Sequence, residues 1–398
     1  MDHPHRPTNR DMIGDVIRSL SPLALVASMV LVACSGADSG DGGVPGGSAG
    51  GGAGPGGAGP GASGPGGAAP GGAGQGGTGA ECPDGVICVP SLPYTNENTT
   101  VGGAAVLGGY GCAPDVNEGG PERVYRVDVP ASGLLVASLA GLGTGVDVDV
   151  YILRERDAGT CLARGNWNAA ALVDPGRFWI VVDSWVDGSG ISQEGNYQLT
   201  LALNQADDHV SQGLSATVLG AGLSAFARGW TKGDTEQLEY GIIDYTMPSI
   251  DHRFFVLDLR QGDLLSAEFA AHGSGSQDPN DMTLTGSVSN LDGSHASSVG
   301  MVLTAETYTG SNGYSLRLDG LEPGFDDNDR ARAIVVHGAD YATQSFVDAN
   351  GYLGRSWGCP ATDPAVVGDV IDTLADGRLV LKYFDDPDWL SSSTYVGP

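Results

Sequence analysis

Positive charge is scarce in this sequence. Its 19 Lys and Arg residues stand against 48 Asp and Glu residues, and the formal net charge is -29. Such an excess of acid disfavours nucleic acid and anionic lipid as partners. We interpret the acidity as a source of solubility rather than as the mark of a substrate, because net charge alone does not define a binding site.

Two common sets of catalytic motifs are absent. The only lysines are Lys232 and Lys382, and neither has a serine three residues before it, so the Ser-x-x-Lys pattern of penicillin-binding D,D-enzymes is missing. A His-Glu-x-x-His motif is missing as well, which argues against a zincin. The sequence therefore predicts neither a catalytic metal nor an organic cofactor.

The N-terminal apolar run is too short to span a membrane. It covers residues 22–33, about 12 residues, whereas a membrane-spanning helix needs about 20. The run follows Arg18 and ends in Leu-Val-Ala-Cys at Cys34, which is the layout of a secretory signal. These four residues resemble the lipobox of bacterial lipoproteins. The resemblance implies that residues 1–33 are removed and that Cys34 carries lipid; an ordinary signal peptide is the alternative.

A low-complexity segment follows the signal. Residues 34–81 are almost entirely Gly, Ala, Pro and Ser, with Gly-Gly-Ala-Gly-Pro recurring. This composition cannot bury enough apolar surface to offset the entropy of ordering the chain, so we expect a disordered tether. The remaining chain is longer than one hydrophobic core usually serves. We expect two domains, at residues 82–204 and 205–398.

The distribution of the six cysteines is uneven. Export places thiols in a compartment where disulfides persist. With Cys34 assigned to lipid, four cysteines lie in the first domain and only Cys359 lies in the second. Of three possible connectivities in the first domain, the local pairs are favoured. These pairs are Cys82 with Cys88 and Cys112 with Cys161. Cys359 is left over and requires a functional explanation.

Short alternating runs in the first domain predict an antiparallel β-sandwich. Residues 124–129 and 146–153 are examples. The segments 110–112, 120–125, 145–151 and 174–183 resemble the bacterial pre-peptidase C-terminal domain, which implies a non-catalytic accessory module. Asp147 and Asp149, together with Asp183 or Asp187, are candidate ligands for Ca²⁺. The alternative is that alternation simply places these residues on the polar face of a strand.

The second domain combines one helix with many strands. Apolar residues at three- and four-residue intervals predict a helix over 214–230, which a Gly-Asp pair ends. Strand-like runs follow at 238–245, 254–259, 264–271, 314–318, 333–337 and 379–384. The predicted fold class is therefore mainly β, an N-terminal antiparallel sandwich followed by a β-rich domain with a flanking helix.

A histidine and the remaining cysteine lie in neighbouring glycine-containing segments. His337 ends an apolar strand, and Cys359 lies in a turn between Gly358 and Pro360. A thiol with a pKa near 8.5 is mostly protonated at pH 7, so an adjacent imidazole that accepts its proton makes it a competent nucleophile. The alternatives are a hydrogen-bonded core histidine and an inert buried thiol. The pair predicts nucleophilic catalysis.

These residues also carry a family resemblance. His337-Gly338, a spacer, and then Ser356-Trp357-Gly358-Cys359 resemble the His-Gly to Ser-His-Gly-Cys pattern of the L,D-transpeptidase catalytic domain, which has the YkuD-like fold. Further matching segments suit the murein L,D-transpeptidase subgroup, and the resemblance covers about residues 212–392. The segments are 240–259, 293–300, 314–324 and 385–390.

The resemblance implies a role for each matching residue. Cys359 is expected to be the nucleophile, His337 the general base and acid, and the Gly338 carbonyl the group that orients the imidazole. An oxyanion hole near Gly358 and Cys359 is expected. The implied substrates are peptidoglycan stem peptides. Further candidates for the oxyanion or substrate site are Ser356, Trp357, Arg355, His272 and Tyr308.

Two positions depart from the family pattern. Trp357 replaces the histidine of Ser-His-Gly-Cys, and Pro360 stands where an arginine often follows the cysteine. The second departure puts carboxylate recognition in doubt, and Arg355, Arg332 or Arg317 are candidates to replace the missing cation. Trp357 fits either the core or a wall of the substrate groove. His272 and His295 line the cleft or are simple loop residues, and we favour His272.

The leading hypothesis is an exported lipoprotein on the periplasmic face of a bacterial membrane, with the outer membrane favoured, that forms 3-3 crosslinks in peptidoglycan. The lipid anchor is then its only membrane contact. Hydrolysis by the same cysteine, as an L,D-carboxypeptidase or a murein-protein hydrolase, is one alternative. A non-catalytic lipoprotein that binds the cell wall is another.

Overall fold

The computed structural model describes residues 82–397. The predicted signal peptide at 1–33, the lipidated Cys34 and the tether at 34–81 lie outside the described residues. None of the helices within 82–397 has the length and hydropathy of a membrane span.

Nine strands build the first part of the chain. One sheet has the strand order β1-β3-β8-β5-β6 and the other β2-β9-β4-β7. All neighbours are antiparallel except β1 and β3. The strands are β1 (Val86–Cys88), β2 (Tyr94–Thr99), β3 (Glu122–Val129), β4 (Gly133–Ala140), β5 (Val148–Leu153), β6 (Cys161–Gly165), β7 (Asn168–Val173), β8 (Gly176–Ser184) and β9 (Asn196–Asn204).

Alternation along these strands explains the sandwich. Leu135 and Ala137 of β4 turn toward Val150 and Ile180 of the facing sheet, and all four are fully buried in one core. Successive strand residues point to opposite faces, so a strand with a buried inner row forms one layer of such a core. The structure joins Cys82 to Cys88 and Cys112 to Cys161, the pairs favoured from the sequence.

A mixed eight-stranded sheet and four helices form the second part. The strand order is β12-β11-β10-β17-β13-β14-β15-β16. The fold prediction is confirmed, because the described chain is mainly β with a β-rich C-terminal part. The elements are α1 (Ala216–Lys232), β10 (Glu239–Asp244), β11 (Phe254–Asp258), β12 (Asp263–Glu268), β13 (Gly300–Gly310), β14 (Gly313–Gly320), β15 (Val335–Gly338), α2 (Gln344–Asn350), β16 (Ala361–Thr362), α3 (Val367–Leu374), β17 (Leu379–Tyr383) and α4 (Pro387–Ser392).

Helix α1 begins and ends two residues later than predicted from the apolar pattern. The Ser215 hydroxyl accepts a hydrogen bond from the Val218 N–H at 3.2 Å, so Ser215 is the cap and the helix begins after it. Gly233 adopts a φ of 77°, the left-handed conformation that commonly follows a helix end. The helix therefore continues through Lys232.

Helix α1 packs against both parts of the chain. Its buried Leu223 and Phe226 share one apolar core with Leu134 and Ala170 of the sandwich and with Tyr240 of the eight-stranded sheet. On the opposite face of that sheet, α3 covers β14 and β15 through a second core. Buried layers thus cover both faces of the sheet, and the second core includes Val335 and Val336 of the site strand β15.

Candidate active site

The pairing of two short strands brings His337 and the cysteine segment together. In the parallel pair of β15 and β16, His337 is the register partner of Ala361, which lies two residues after Cys359. On its other side, His337 faces Ser315 of β14. Adjacent strands lie about 5 Å apart, so this register places the imidazole next to the segment that carries the thiol. Both residues are buried, with exposures of 2 % for His337 and 0 % for Cys359.

The hydrogen bonds of His337 define its tautomer. The Nδ1 atom lies 3.0 Å from the Gly338 carbonyl oxygen, which can only accept a hydrogen bond, so Nδ1 carries the proton. The Nε2 atom is buried and has no hydrogen-bond partner within residues 82–397. Burial lowers the pKa of His337, and the bond to Gly338 opposes part of this shift. The side chain is therefore a neutral imidazole with an accepting Nε2.

The turn before Cys359 is held by Ser356 and Gly358. The Ser356 hydroxyl donates to the Cys359 carbonyl at 2.7 Å and accepts from the Gly358 N–H at 3.1 Å. Gly358 has a φ of 115°, and a Cβ there would lie 2.6 Å from the Ala296 carbonyl oxygen. Only glycine fits this position. The Cys359 Sγ lies 3.6 Å from the Ala333 carbonyl oxygen.

One expected role of Gly358 does not agree with this geometry. Its N–H was predicted to help form an oxyanion hole, but it already donates to Ser356 Oγ. A backbone N–H that is engaged within its own turn is not available to a substrate oxygen. In this conformation Gly358 shapes the turn and leaves oxyanion stabilisation to other donors.

A second segment crosses the cysteine turn. The Ala271 N–H donates to the Ala361 carbonyl at 2.8 Å, and the Ser356 N–H donates to the His272 carbonyl at 3.1 Å. The Ser297 hydroxyl accepts from the Gly273 N–H at 3.0 Å and lies 3.3 Å from the Gly358 carbonyl oxygen, to which it donates. His272 is thereby fixed beside the turn.

His272 has the opposite tautomer to His337. The Arg253 guanidinium, which can only donate, lies 2.9 Å from His272 Nδ1, so Nδ1 accepts and Nε2 carries the proton. This Nε2 atom is buried and has no hydrogen-bond partner among residues 82–397. Burial first, and then the charges of Arg253 and Arg355, lower the pKa of His272 to about 2. The second histidine therefore remains a neutral donor at any physiological pH.

Trp357 and Tyr308 lie at the edges of this group. The Trp357 ring stacks on the exposed His295 ring, with centroids 4.5 Å apart and an angle of 4° between the planes. His295 adopts a positive φ of 54°. Tyr308 of β13 faces Ser315 and so belongs to the same row as His337, but the Arg317 guanidinium covers its ring at 4.3 Å. The structure places Trp357 directly beside the turn and Tyr308 farther along the sheet.

The three arginines considered for carboxylate recognition have different partners. Arg317 forms an ion pair with Glu306 at 3.1 Å. Arg332 donates to the Ser289 carbonyl at 2.8 Å and to the Ala296 carbonyl at 2.5 Å, which braces the loop opposite Gly358. Arg355 donates to the carbonyls of Leu353, Gly354 and Met282. Among these three, only Arg355 is also close enough to His272 to lower its pKa.

Neither Arg253 nor Ser297 was selected from the sequence, although both lie in segments, 240–259 and 293–300, that resemble the transpeptidase subgroup. Arg253 is fully buried at the entrance to β11 and contacts His272, which lies 19 residues later. The one available signal was a lone arginine immediately before an apolar strand, since arginine is almost never fully buried without a partner.

The candidate calcium site of the sandwich is not supported. Asp149 accepts hydrogen bonds from Arg164, at 3.1 Å from its Nε, and Asp183 accepts from the Tyr110 hydroxyl at 2.6 Å. Burial raises the pKa of Asp183 to about 8, which disfavours the charged form that a cation requires. Within residues 82–397, no group of three or more His, Cys, Asp or Glu is arranged to hold a metal ion.

The comparison with protein families identifies the class of the second part. The family model of the L,D-transpeptidase catalytic domain matches residues 210–383, which include α1, the eight-stranded sheet, His337 and Cys359. This part of the chain belongs to that domain family. Enzymes of the family act on peptidoglycan peptides. No curated protein matches the sequence.

Solved structures similar to this chain include an L,D-transpeptidase from Mycobacterium smegmatis, at 13 % identity over 64 % of this chain and 93 % of that one, with a TM-score of 0.24. L,D-transpeptidase 1 of Mycobacterium tuberculosis matches at 15 % identity, over 37 % of this chain and 62 % of that one, with a TM-score of 0.20. The pre-peptidase C-terminal domain of a Bacillus anthracis collagenase matches at 19 % identity, over 31 % of this chain and 99 % of that one, with a TM-score of 0.21.

Proposed function

We propose that the protein is a cysteine-dependent L,D-transpeptidase that joins peptidoglycan tetrapeptide stems through 3-3 crosslinks. The strongest support is the accepting Nε2 of neutral His337, which β15 and β16 place next to the Cys359 segment. A thiol nucleophile requires an acceptor of this kind. The match of residues 210–383 to the catalytic domain family supports the same assignment.

The first half-reaction transfers the acyl group to the enzyme. His337 Nε2 accepts the Cys359 thiol proton, and the sulfur attacks the carbonyl carbon between diaminopimelate and the terminal D-Ala. The C–N bond of the tetrahedral intermediate then breaks. The imidazolium returns its proton to the leaving D-Ala amine, and a thioester remains on Cys359. The Gly338 carbonyl stabilises the imidazolium through Nδ1.

The second half-reaction releases the acyl group. The side-chain amine of diaminopimelate on a neighbouring stem attacks the thioester carbonyl, and His337 accepts a proton from this amine. The thiolate leaves and is protonated by His337, which regenerates both groups. Water in place of the amine gives a tripeptide and defines the L,D-carboxypeptidase alternative.

The remaining residues of the site position these groups. Ser356 ties the Gly358 N–H to the Cys359 carbonyl and so fixes the turn that carries the thiol. The Trp357 ring, half-buried beside this turn, forms a wall for the donor peptide. Tyr308 extends the wall along the sheet.

We place this activity at the periplasmic face of the outer membrane. The N-terminal signal and the lipobox-like sequence at Cys34 support a lipoprotein whose tether lets the folded domains reach peptidoglycan. Labelling cells with a radioactive or alkyne-bearing fatty acid tests the anchor. A Cys34→Ser variant is expected to lose the label, and a variant that keeps it would contradict this assignment.

Incubation of the purified full chain with disaccharide-tetrapeptide, followed by mass spectrometry, tests the reaction. We expect a mass increase on Cys359 equal to the disaccharide-tripeptide acyl group, then a crosslinked dimer with loss of D-Ala. The Cys359→Ser variant is the matched control and should give neither product. A tripeptide monomer alone would establish hydrolysis, and an unmodified substrate with an unlabelled thiol would support a non-catalytic wall-binding protein.

A further inference from the structure

Arg253 is a buried cation in an acidic chain, yet it is held by neutral acceptors. Its Nε donates to the Ala270 carbonyl at 2.9 Å, one terminal nitrogen donates to the Met247 carbonyl at 2.7 Å, and the other donates to His272 Nδ1 at 2.9 Å. No carboxylate of the described residues forms an ion pair with it. Asp244 and Asp251 act on it only through space.

This arrangement is unfavourable unless it serves another purpose. A buried guanidinium without a counter-ion loses its hydration and gains only neutral hydrogen bonds in return. Burial accordingly lowers the pKa of Arg253 to about 10. Elsewhere in the same part of the chain, buried Lys382 contacts the carboxylate of Asp329, so the fold supplies a counter-ion where a cation is purely structural.

His272 carries the effect of Arg253 to its second ring nitrogen. Because Nδ1 accepts from Arg253, the Nε2–H points away from the guanidinium and is a donor polarised by a cation. This N–H has no acceptor within residues 82–397, although His272 is 0 % exposed. A buried donor without an acceptor is rare in folded proteins, and it favours a bound anion or polar group as its partner.

Arg355 adds a second cation at the same place. It donates to the carbonyls of Leu353, Gly354 and Met282 and lies 5.3 Å from the centre of the Tyr352 ring, and its Nε is buried without a hydrogen-bond partner among the described residues. Its charge acts on both Arg253 and His272. Arg355 is the half-buried member of the three, and it lies four residues before Cys359.

The three side chains flank the proposed nucleophile. The His272 carbonyl accepts from the Ser356 N–H, and the Arg253 guanidinium lies 5.2 Å from the centre of the Tyr245 ring. Tyr245 in turn interacts electrostatically with Cys359. Tyr245 therefore lies near both Arg253 and Cys359.

We propose that Arg253, His272 and Arg355 bind a carboxylate of the peptide that acylates Cys359. This inference rests on the proposed function and assigns the group that recognises the anionic end of the substrate. A carboxylate accepts from the His272 Nε2–H and from Arg355, while Arg253 stays buried and holds His272 as a donor. Arg355 reaches the surface and moves to admit the anion.

Equilibrium binding to the full chain with Cys359→Ser tests this site without any covalent step. The probes are disaccharide-tetrapeptide and three derivatives, each with one carboxylate converted to a carboxamide: that of D-Glu, of diaminopimelate or of the terminal D-Ala. Calorimetry gives a Kd for each probe. We expect one derivative to bind about tenfold or more weakly than the parent probe, the loss typical of a hydrogen bond to a charged group.

Substitutions then assign the loss to the site. The acid-to-amide ratio is the Kd of that one derivative divided by the Kd of the parent probe. Arg355→Gln and His272→Phe, each in the Cys359→Ser background, should reduce this ratio to within about twofold of unity. Arg260→Gln removes the same charge from an ion pair with Asp258 and Glu239 and should leave the ratio unchanged. The result for His272→Phe is used only if this variant still unfolds cooperatively on heating. If it does not, the test rests on Arg355→Gln alone.

The possible outcomes separate this proposal from the proposed function. Equal binding of all four probes, or a ratio that Arg355→Gln leaves unchanged, overturns the carboxylate site even if the enzyme crosslinks stems. An Arg355-dependent ratio in a chain whose Cys359 is never acylated keeps the carboxylate site and overturns the enzymatic assignment. A ratio that Arg260→Gln also changes would show a general charge effect and contradict the site.

Discussion

Two buried arginines show how the two parts of the chain differ. In the sandwich, Arg164 pairs with the fully buried carboxylate of Asp149, so the cation and its counter-ion neutralise each other. In the transpeptidase domain, Arg253 is bound by two carbonyls and a neutral histidine. An arginine that is paired with a carboxylate of the same fold has a structural role. An arginine without such a partner leaves its group of donors able to bind an anionic ligand.

The same contrast applies to the uncharged groups. The Tyr110 hydroxyl in the sandwich donates to Asp183, which also accepts from the Ser184 N–H. In the transpeptidase domain, His272 and His337 each keep one buried ring nitrogen without a partner, one as a donor and the other as an acceptor. Two buried imidazoles with opposite proton roles, both in segments that pair with the cysteine segment, agree with the catalytic site that we propose.

The largest expected effect is on catalysis, and its absence would contradict the difference between the two parts of the chain. Replacing His337 with glutamine removes the acceptor for the thiol proton, and it also removes the Nδ1–H that donates to the Gly338 carbonyl. We expect the rate of Cys359 acylation by disaccharide-tetrapeptide to fall more than about thousandfold, as for the loss of a catalytic base. Stopped-flow or quenched-flow mass spectrometry measures this rate.

The control for this experiment is stability. The free energy of unfolding, measured with urea, should fall by no more than the loss of one hydrogen bond, about 1 kcal/mol. A His337→Gln chain that is acylated at the parental rate would contradict the base assignment. One that unfolds much more easily would place His337 among the structural residues.

The sandwich pair should show the reverse behaviour. Asp149→Ala leaves the guanidinium of Arg164 without its partner, and breaking a buried pair usually costs about 3 to 5 kcal/mol. Because 24 % of the Arg164 side chain remains exposed to water, we expect a smaller loss of unfolding free energy, roughly 2 to 3 kcal/mol. Urea unfolding monitored by circular dichroism measures it.

Acylation per folded molecule should not change in this variant, because Asp149 makes no contact with the site. Asp149→Asn is the matched control, since the amide keeps an acceptor for Arg164 and should lose less stability than alanine. An Asp149→Ala chain that is fully stable but slower in acylation would contradict the structural role of this pair and would indicate a functional one.

His272 predicts that the stability of the second part of the chain depends on pH. Its pKa is about 2 in the folded chain and near 6.5 when unfolded, so between these values the unfolded state binds more protons. The stability contribution is complete above pH 6.5 and is lost progressively as the pH falls below it. By pH 5 the loss is on the order of 2 kcal/mol.

The measurement is the difference in unfolding free energy between the parent and His272→Gln, at several pH values between 8 and 5. Glutamine does not titrate, so the difference should shift in favour of the variant as the pH falls. The carboxylates common to both chains cancel. A difference that is independent of pH would show that His272 is not held neutral in the folded state.

The candidate catalytic residues were selected from the sequence, whereas most of the groups around them were not. His337, Gly358 and Cys359 lie in short motifs whose chemistry is local, and the short β15–β16 pairing is enough to bring them together. Strand β13 was not predicted, because a register shift between Thr304 and Thr307 interrupts the alternation that marks a strand. Helices α2, α3 and α4 have two turns or so, too few for a clear apolar period.

The cationic group was not predictable for a different reason. Arg253 and His272 are 19 residues apart and meet only because β11 and β12 form a hairpin between them. The binding role proposed for them depends on the absence of a carboxylate paired with Arg253 among the described residues. A linear sequence does not show which acidic residues will lie close to this arginine. Arg332 was a candidate for carboxylate recognition, but in the structure it donates to backbone carbonyls. The sequence does not show these contacts, because the partners lie some forty residues earlier in the chain.

The smallest predicted effect concerns the His295 and Trp357 stack. His295 is exposed and contributes only one face of a stacked pair, worth about 1 kcal/mol. If Trp357 is a wall of the donor site, His295→Ala should loosen that wall, raise KM for disaccharide-tetrapeptide by about two- to fivefold and leave kcat within twofold. Trp357→Ala should raise KM further. His295→Phe keeps an aromatic face and should restore the parental KM, whereas a kcat that falls in His295→Ala with an unchanged KM would show that the stack orients the Cys359 turn instead.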